Sequence, residues 1–210
     1  RLSDGKCYKL WHKSKILQET SKSEILRTDL SSFFLDLALW GYEDIKEFKF
    51  LDYPLEVVQN STNLVLQELQ ELQMLNEDNQ ITKFGKKSLT LGVHPRFAFM
   101  ILRANELGFA YEACLLSAML SEKDIFKNMS FNCDIYSRFL HLYEKDFDSA
   151  YINSHLAKTV LKQAEFFYGK FKNIEAINKK TQKINEESLS ILLLLAYPDR
   201  LAKQRGKNDT

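Results

Sequence analysis

The chain has 210 residues, enough for one or two domains, and its 45% hydrophobic and 27% charged residues suit a globular protein that builds a core without staples. A net charge of +1 is not the strongly basic balance of a dedicated nucleic-acid binder. Seven glycines and three prolines are few breakers for this length, so long helices are expected. Cys7, Cys114 and Cys133 have neither zinc nor redox spacing and fit a reducing cytoplasm, with Cys114 as a small core residue. No signal peptide is visible, and the run Leu192 to Ala196 is too short to span a bilayer, so a cytoplasmic protein without a membrane partner is expected.

In chain order, Lys6, Tyr8 and Leu10 alternate with Cys7, Lys9 and Trp11 like a strand, after the turn signal Asp4-Gly5. A lone strand cannot satisfy its backbone, so its partners are expected in polypeptide outside this sequence. Residues 30–40 read as a helix, with Asp29 or Thr28 capping its start and Gly41 in the left-handed position behind it; Leu30, Phe33, Phe34, Leu37 and Trp40 form its apolar stripe. A helical turn at 44–48 and a helix at 54–74 opening on Pro54 follow, the latter burying Val58, Val65, Leu66, Leu69 and Leu72. A turn at 76–79 and a very short strand at Ile81-Thr82 lead to a helix at 83–89 capped by Thr82. That order is the one expected of a winged helix with a minimal wing, though three-helix bundles share it.

Further helices are expected at 95–108, with Phe97, Met100, Ile101, Ala104 and Leu107 on one face, and at 110–120, which is apolar nearly all round and therefore central. Others follow at 134–143, 155–171 and 186–197, with a polar loop at 172–185. The fold class expected from the residues is mainly α: a winged helix followed by a helical bundle, with a stray N-terminal strand.

Several phrases then occur in a familiar order. Glu24-Ile25-Leu26-Arg27-Thr28-Asp29-Leu30 resembles the "PEILR-x-DL" that follows the second RecA-like domain of DEAH-box helicases. Phe50-Leu51-Asp52-Tyr53-Pro54 is similar to "WLDPPP", Ile81-Thr82-Lys83-Phe84-Gly85-Lys86-Lys87 to "LTxxGRRMA", and Leu91-Gly92-Val93-His94-Pro95-Arg96-Phe97-Ala98 to "LPLHPRLA". Leu120-Ser121-Glu122-Lys123-Asp124 resembles "LSERD". The ending Leu195-Ala196-Tyr197-Pro198-Asp199-Arg200-Leu201-Ala202 resembles "LAYPDRIA" and points to the HrpB branch. Tyr53, Lys86-Lys87 and Leu89 depart from the pattern while keeping charge or apolar character, and 126–185 carries no such phrase.

The resemblance implies an ATP-driven RNA translocase, with residues 1–15 a remnant of the second motor domain, 16–92 a linker and winged helix, 93–200 the helicase-associated ratchet-like domain, and 201–210 a basic tail leading to a further domain. It implies ATP and Mg in the intact protein. The partners implied are single-stranded or structured RNA and the chain's own upstream RecA-like domains, within a monomer. Leu2 to Leu10 matches the phrase after the family's last motor motif, which would make Arg1 the arginine that meets the γ-phosphate in the intact protein; the alternative is a frayed terminus.

No G-x-x-x-x-G-K-[ST] run and no DEAH tetrapeptide occurs, so no cofactor is expected in these 210 residues alone, and they are expected to be inactive as an ATPase. His12, His94, His141 and His155 are scattered, without ligand spacing. Lysines outnumber acids between Lys158 and Lys183, which reads first as a solvated helix face. The nucleic-acid reading takes Lys158, Lys162, Gln163 and Lys170, with Lys172, as groups that grip RNA backbone, and Phe166, Phe167 and Tyr168 as stacking rings or, more commonly, core. Arg96 can touch phosphate or pair with an acid. Two rivals are a winged-helix DNA-binding regulator, against which 64–74 carries Glu68 and Glu71 but no Lys or Arg, and a helical protein-interaction module.

Overall fold

Asp29 offers a carboxylate oxygen to the Ser31 amide at 2.8 Å, and there the first helix, α1 (Ser31–Leu39), begins. The computed structural model describes residues 3–6, 8, 10–12, 15, 28–42, 55–127, 134–148, 150–178 and 183–202, without the side chains of 55–61. The expected turn at 44–48, Pro54, the Val58 side chain, Cys7, Cys133 and most of the basic tail lie outside them. Of the expected N-terminal strand, Lys6, Tyr8, Leu10 and Trp11 are described; none is paired in a strand, and Tyr8 and Leu10 are exposed. Gly41 takes φ +84° behind α1, as its position demands. Phe34, Leu35 and Leu37 point into the core, whereas Trp40 is 65% exposed: the helix has ended by then, and its apolar face has rotated to include Leu35 instead.

Helix α2 (Leu55–Glu71) stops three residues earlier than the apolar pattern suggests. Gln73 flips to φ +58°, and the Met74 amide turns back to the Leu69 carbonyl at 2.9 Å, so Leu72, Met74 and Leu75 are buried by a turn rather than by helix. A single antiparallel bridge, Leu75 to Ile81, closes a hairpin. The Asn76 side chain organises its loop by accepting from the Asp78 and Gln80 amides. Thr82 then accepts from the Gly85 amide at 3.0 Å and starts α3 (Lys83–Leu91), as expected.

His94 and Pro95 start α4 (Pro95–Leu107), with the imidazole Nδ1 accepting from the Arg96 amide at 3.2 Å. Its buried face holds Phe97, Ala98, Met100, Ile101 and Ala104, while Leu107 is 37% exposed in the last turn. Helix α5 (Ala110–Ser121) is the centre of the molecule: Ala113, Cys114, Leu115, Leu116 and Ala118 are wholly buried between α4, α6 (Ile135–Tyr143) and α7 (Ser154–Lys172). Burying one such leucine contributes roughly 1.5–3 kcal/mol. The one hydroxyl in this run, on Ser117, donates to the Ala113 carbonyl at 2.8 Å and is not left unpaired. Burial pushes the Cys114 thiol up, so it stays a protonated core group.

Helix α8 (Glu186–Ala196) packs on α4 and ends in a 3₁₀ turn at Pro198–Arg200. The core runs without a break from Phe34 to Ala196. Among the described residues the molecule is mainly helical, and no helix is long and apolar enough to cross a membrane.

Gly85 shows how tightly α3 is seated. A Cβ there would lie 2.4 Å from the Met74 carbonyl oxygen, a backbone atom that cannot yield cheaply. Gly85→Ala is expected to cost about 1–3 kcal/mol by overpacking, although alanine is the better helix former, and urea unfolding of the two proteins measures it.

Candidate nucleic-acid interface

Both ends of α7 are fixed to the rest of the fold. At its start, an antiparallel bridge between Phe126 and Ile152 joins it to the segment leaving α5, through Lys127 N–H to Tyr151 O at 2.8 Å and Asn153 N–H to Ile125 O at 2.7 Å. Asn153 then caps the helix by accepting from the Leu156 amide. At its end, Lys170 Nζ donates to the Leu91 carbonyl at 3.3 Å, the last carbonyl of α3, where the helix dipole favours a cation. Just beyond, Glu175 pairs with Lys87, and Asn178 donates from its backbone amide to Asn105 Oδ1 and from Nδ2 to the Glu106 carbonyl, which holds the following loop against α4.

Between these anchors Ala157, Val160, Ala164, Phe167 and Phe171 face the core. Lys158, Lys162 and Phe166, each four residues from the next, lie on the exposed side, and Gln163 is half-buried beside them. The three consecutive aromatics therefore divide: Phe167 is 5% exposed, Tyr168 is half-buried against Tyr111, and Phe166 is 59% exposed. The signal for Phe166 was present in its spacing, since four and eight residues earlier the same face carries lysines, whereas Phe167 follows Val160 and Ala164. Lys170 Nζ lies 4.8 Å from the Phe166 ring centroid and Lys172 Nζ 5.0 Å from that of Tyr168.

The arginines are otherwise occupied. Arg96 bridges Glu68 of α2, at 2.7 Å, and Asp199 behind α8, and its guanidinium sits 5.5 Å from the Tyr197 ring. Desolvation works against its charge, but the two carboxylates outweigh it and raise its pKa. Arg103 meets Glu106 and Gln73 over the rings of Phe84 and Phe99, and Arg138 grips Asp124. Arg1 lies outside the described residues. The structure thus brings Lys158, Lys162, Gln163 and Lys170 together on one helix, while Arg96 joins α2, α4 and α8. A groove of about 630 Å³ opens there, lined by Leu64, Phe99, Leu194 and Pro198 with Arg96 and Glu68. Among the described residues no group of three His, Cys, Asp or Glu side chains can hold a metal ion.

No family model matches the chain. Over 131 residues it is 34% identical to the ATP-dependent RNA helicase HrpA homolog of Haemophilus influenzae, covering 59% of this chain, and over 132 residues 33% identical to the ATP-dependent RNA helicase HrpA of Escherichia coli. Two solved structures of E. coli HrpB, a DExH-box NTPase in one description and a DEAH/RHA helicase in the other, each align with 90% of this chain, at TM-scores of 0.59 and 0.64 and identities of 25% and 24%. The chain is a relative of the HrpA and HrpB helicases. It spans 10% of the length of the HrpA relatives and 20% of the HrpB chains. The mainly helical fold described above aligns with that fifth of the HrpB chains.

Asp124, in the phrase that resembles the family's "LSERD", has a role that sequence reasoning missed. Its carboxylate receives Arg138 Nε at 3.0 Å and Nη2 at 2.8 Å and the Phe126 amide at 3.0 Å, and the guanidinium stacks 4.6 Å from the Phe126 ring. Burial pushes this carboxyl up, and the bonds from Arg138 and Phe126 outweigh it, leaving the pKa below the usual 3.8. A carboxyl depressed on folding stabilises the fold above its unfolded pKa, near 4, and loses that contribution as the pH falls through the lower folded value. Asp124→Asn is expected to lose roughly 2–3 kcal/mol at neutral pH, less than the ~3–5 kcal/mol of a fully buried pair. Unfolding midpoints measured from pH 7 to pH 3 will fall less steeply below pH 4 in the variant than in the wild type.

Proposed function

We propose that this chain is the accessory region that follows the motor domains of an ATP-dependent RNA helicase, in the cytoplasm, and that it contacts single-stranded RNA without reading its sequence. The observation that carries this reading is the HrpB-like fold over 90% of the chain. In it, residues 16–92 are the linker and winged helix, and 93–200 the ratchet-like domain that closes one side of the nucleic-acid channel. The succession α1, α2, one-bridge hairpin, α3 supports the winged helix. Its function is to brace the upstream RecA-like domains, and residues 1–15 are their continuation. Magnesium-bound ATP would be held by those domains and its hydrolysis would drive translocation, with Arg1 reaching the γ-phosphate.

On this chain, Lys158 and Lys162 supply the RNA contact. Both are exposed, and neither has an ion-pair partner among the described residues. A lysine ammonium neutralises a phosphate as a point charge and releases a condensed counterion, so such contacts are strongly salt-dependent and indifferent to sequence. Lys170 adds charge at the end of the helix while holding α3. The rival DNA-regulator reading finds no support in α2, whose described half carries Glu68 and Glu71 and no cation.

Purified chain is expected to show no ATP turnover, with or without RNA and magnesium. Fluorescence anisotropy with a labelled unstructured RNA across 50–200 mM salt (about the physiological range and below) should give a linear fall in log affinity. Replacing Lys158 and Lys162 by alanine should flatten its slope by about 1.4, roughly 0.7 for each phosphate that is no longer neutralised. A slope unchanged in the double variant would exclude this helix as the RNA contact, and clear ATP turnover by the chain alone would overturn the accessory reading.

A further inference from the structure

The exposed side of α7 holds a glycine that the fold does not require. Glycine is the poorest helix former after proline, so a glycine within a helix calls for a reason. Gly85 has one in the Met74 carbonyl. At Gly169 a Cβ would meet nothing within 4 Å, and its φ is not in the left-handed range, so neither crowding nor backbone conformation accounts for it. Cβ atoms in a helix tilt toward its N-terminus and cover the turn before them. A side chain at 169 would therefore project back over the turn that carries Glu165 and Phe166. Its absence leaves bare backbone three residues along the helix from Phe166, whose ring is exposed.

The surroundings of that ring fit a polyanion that carries flat groups. Lys170 Nζ sits over the ring at 4.8 Å and is itself fixed to the Leu91 carbonyl, so it acts as a positioning residue for the phenyl group. Toward the helix start, Lys162 and Lys158 extend the same face over about 12 Å of helix axis. Four lysines stand on α7, at 158, 162, 170 and 172, against the single acid Glu165. An isolated exposed phenylalanine needs no explanation by itself. One set beside a cleared backbone, with cations before and behind it, is a platform for a ring that brings negative charge with it.

We infer that Phe166 and the bare backbone at Gly169 form a stacking seat for one base of single-stranded RNA, with Lys162 and Lys158 on the adjoining phosphates. This rests on the RNA contact proposed above and adds where a base sits. The base lies against the Phe166 ring over the space a side chain at 169 would fill, and any base serves because every base has a π-face. A duplex keeps its bases stacked internally and gains nothing from the seat.

The test uses the whole chain, a labelled single-stranded oligoadenylate and a duplex of equal length, with affinity from anisotropy and Tm from calorimetry. Gly169→Ala should move the two readouts in opposite senses: Tm rises by ~2–4 °C, because alanine favours the helix and nothing obstructs it, while affinity for the single strand falls several-fold. Phe166→Leu should weaken single-strand binding about tenfold and leave duplex binding within twofold. Phe166→Trp should restore it, with indole fluorescence quenched as the oligonucleotide binds. If Gly169→Ala raises Tm at unchanged affinity and Phe166→Leu binds like wild type, while the lysine variants still lose binding, the seat is refuted and the RNA contact stands. Equal losses for single strand and duplex in Phe166→Leu refute the seat as well, and no binding of either nucleic acid by the wild type overturns both proposals.

Discussion

The apolar surface of α5 must be covered on every side, and the rest of the molecule is arranged around that need. A helix with no polar face has no stable exposure to water, so α4, α6 and α7 close around Ala113 to Ala118 and leave none of the central side chains accessible. α8 in turn packs on α4, and α3 lies against both α4 and α7. The buried hydroxyl of α5, on Ser117, is paired on its own helix. The orientation of α7, and with it the direction in which its lysines point, follows from this packing: its core face is determined by what α5 presents, and the lysine face is what remains.

Charge is distributed by the same logic. Arginine, with its planar set of donors, takes the positions where elements must be tied together: Arg96 between α2 and the end of α8, Arg138 on Asp124 where the chain leaves α5. Each is satisfied by carboxylates within the fold. The cations of α7 are lysines, and they line one side of a helix anchored at both ends. A near-neutral chain can in this way present a locally basic strip, because its acids stand elsewhere, several of them on arginines, and α7 carries only Glu165. Net charge describes the average over the surface, whereas a phosphate responds to what lies within about a Debye length, near 10 Å.

The region before α4 is held more by backbone than by bulk. Gln73 and Asn79 take positive φ to fold the hairpin back after α2, one bridge closes it, and Gly85 allows α3 to approach the Met74 carbonyl. His94 and Asp29 connect this region to the helical bundle at 3.1 Å. The imidazole accepts the Arg96 amide on Nδ1, which assigns the proton on the neutral ring to Nε2, facing Asp29.

The sequence by itself determined where most helices begin and end, because those are events within a few residues. Thr82 and Asp29 bond the first amides of α3 and α1, Pro95 preorganises the start of α4, and Gly41 accepts the conformation that follows α1. It also identified α5 as central, since an apolar run without a polar face has one place to go. Its similarity to the HrpA and HrpB helicases was readable from the order of short phrases. Only the tertiary structure decided which side chains on those helices are free. Arg96 meets Asp199 across 103 positions of chain, Arg138 is claimed by Asp124, and α2 ends early because Met74 and Leu75 reach the core through a turn. Phe166 and Phe167 are the same residue type side by side, and a step of about 100° around the helix puts one in water and the other in the core. Burial and pairing are long-range properties, and the chain acquires them only when distant elements meet.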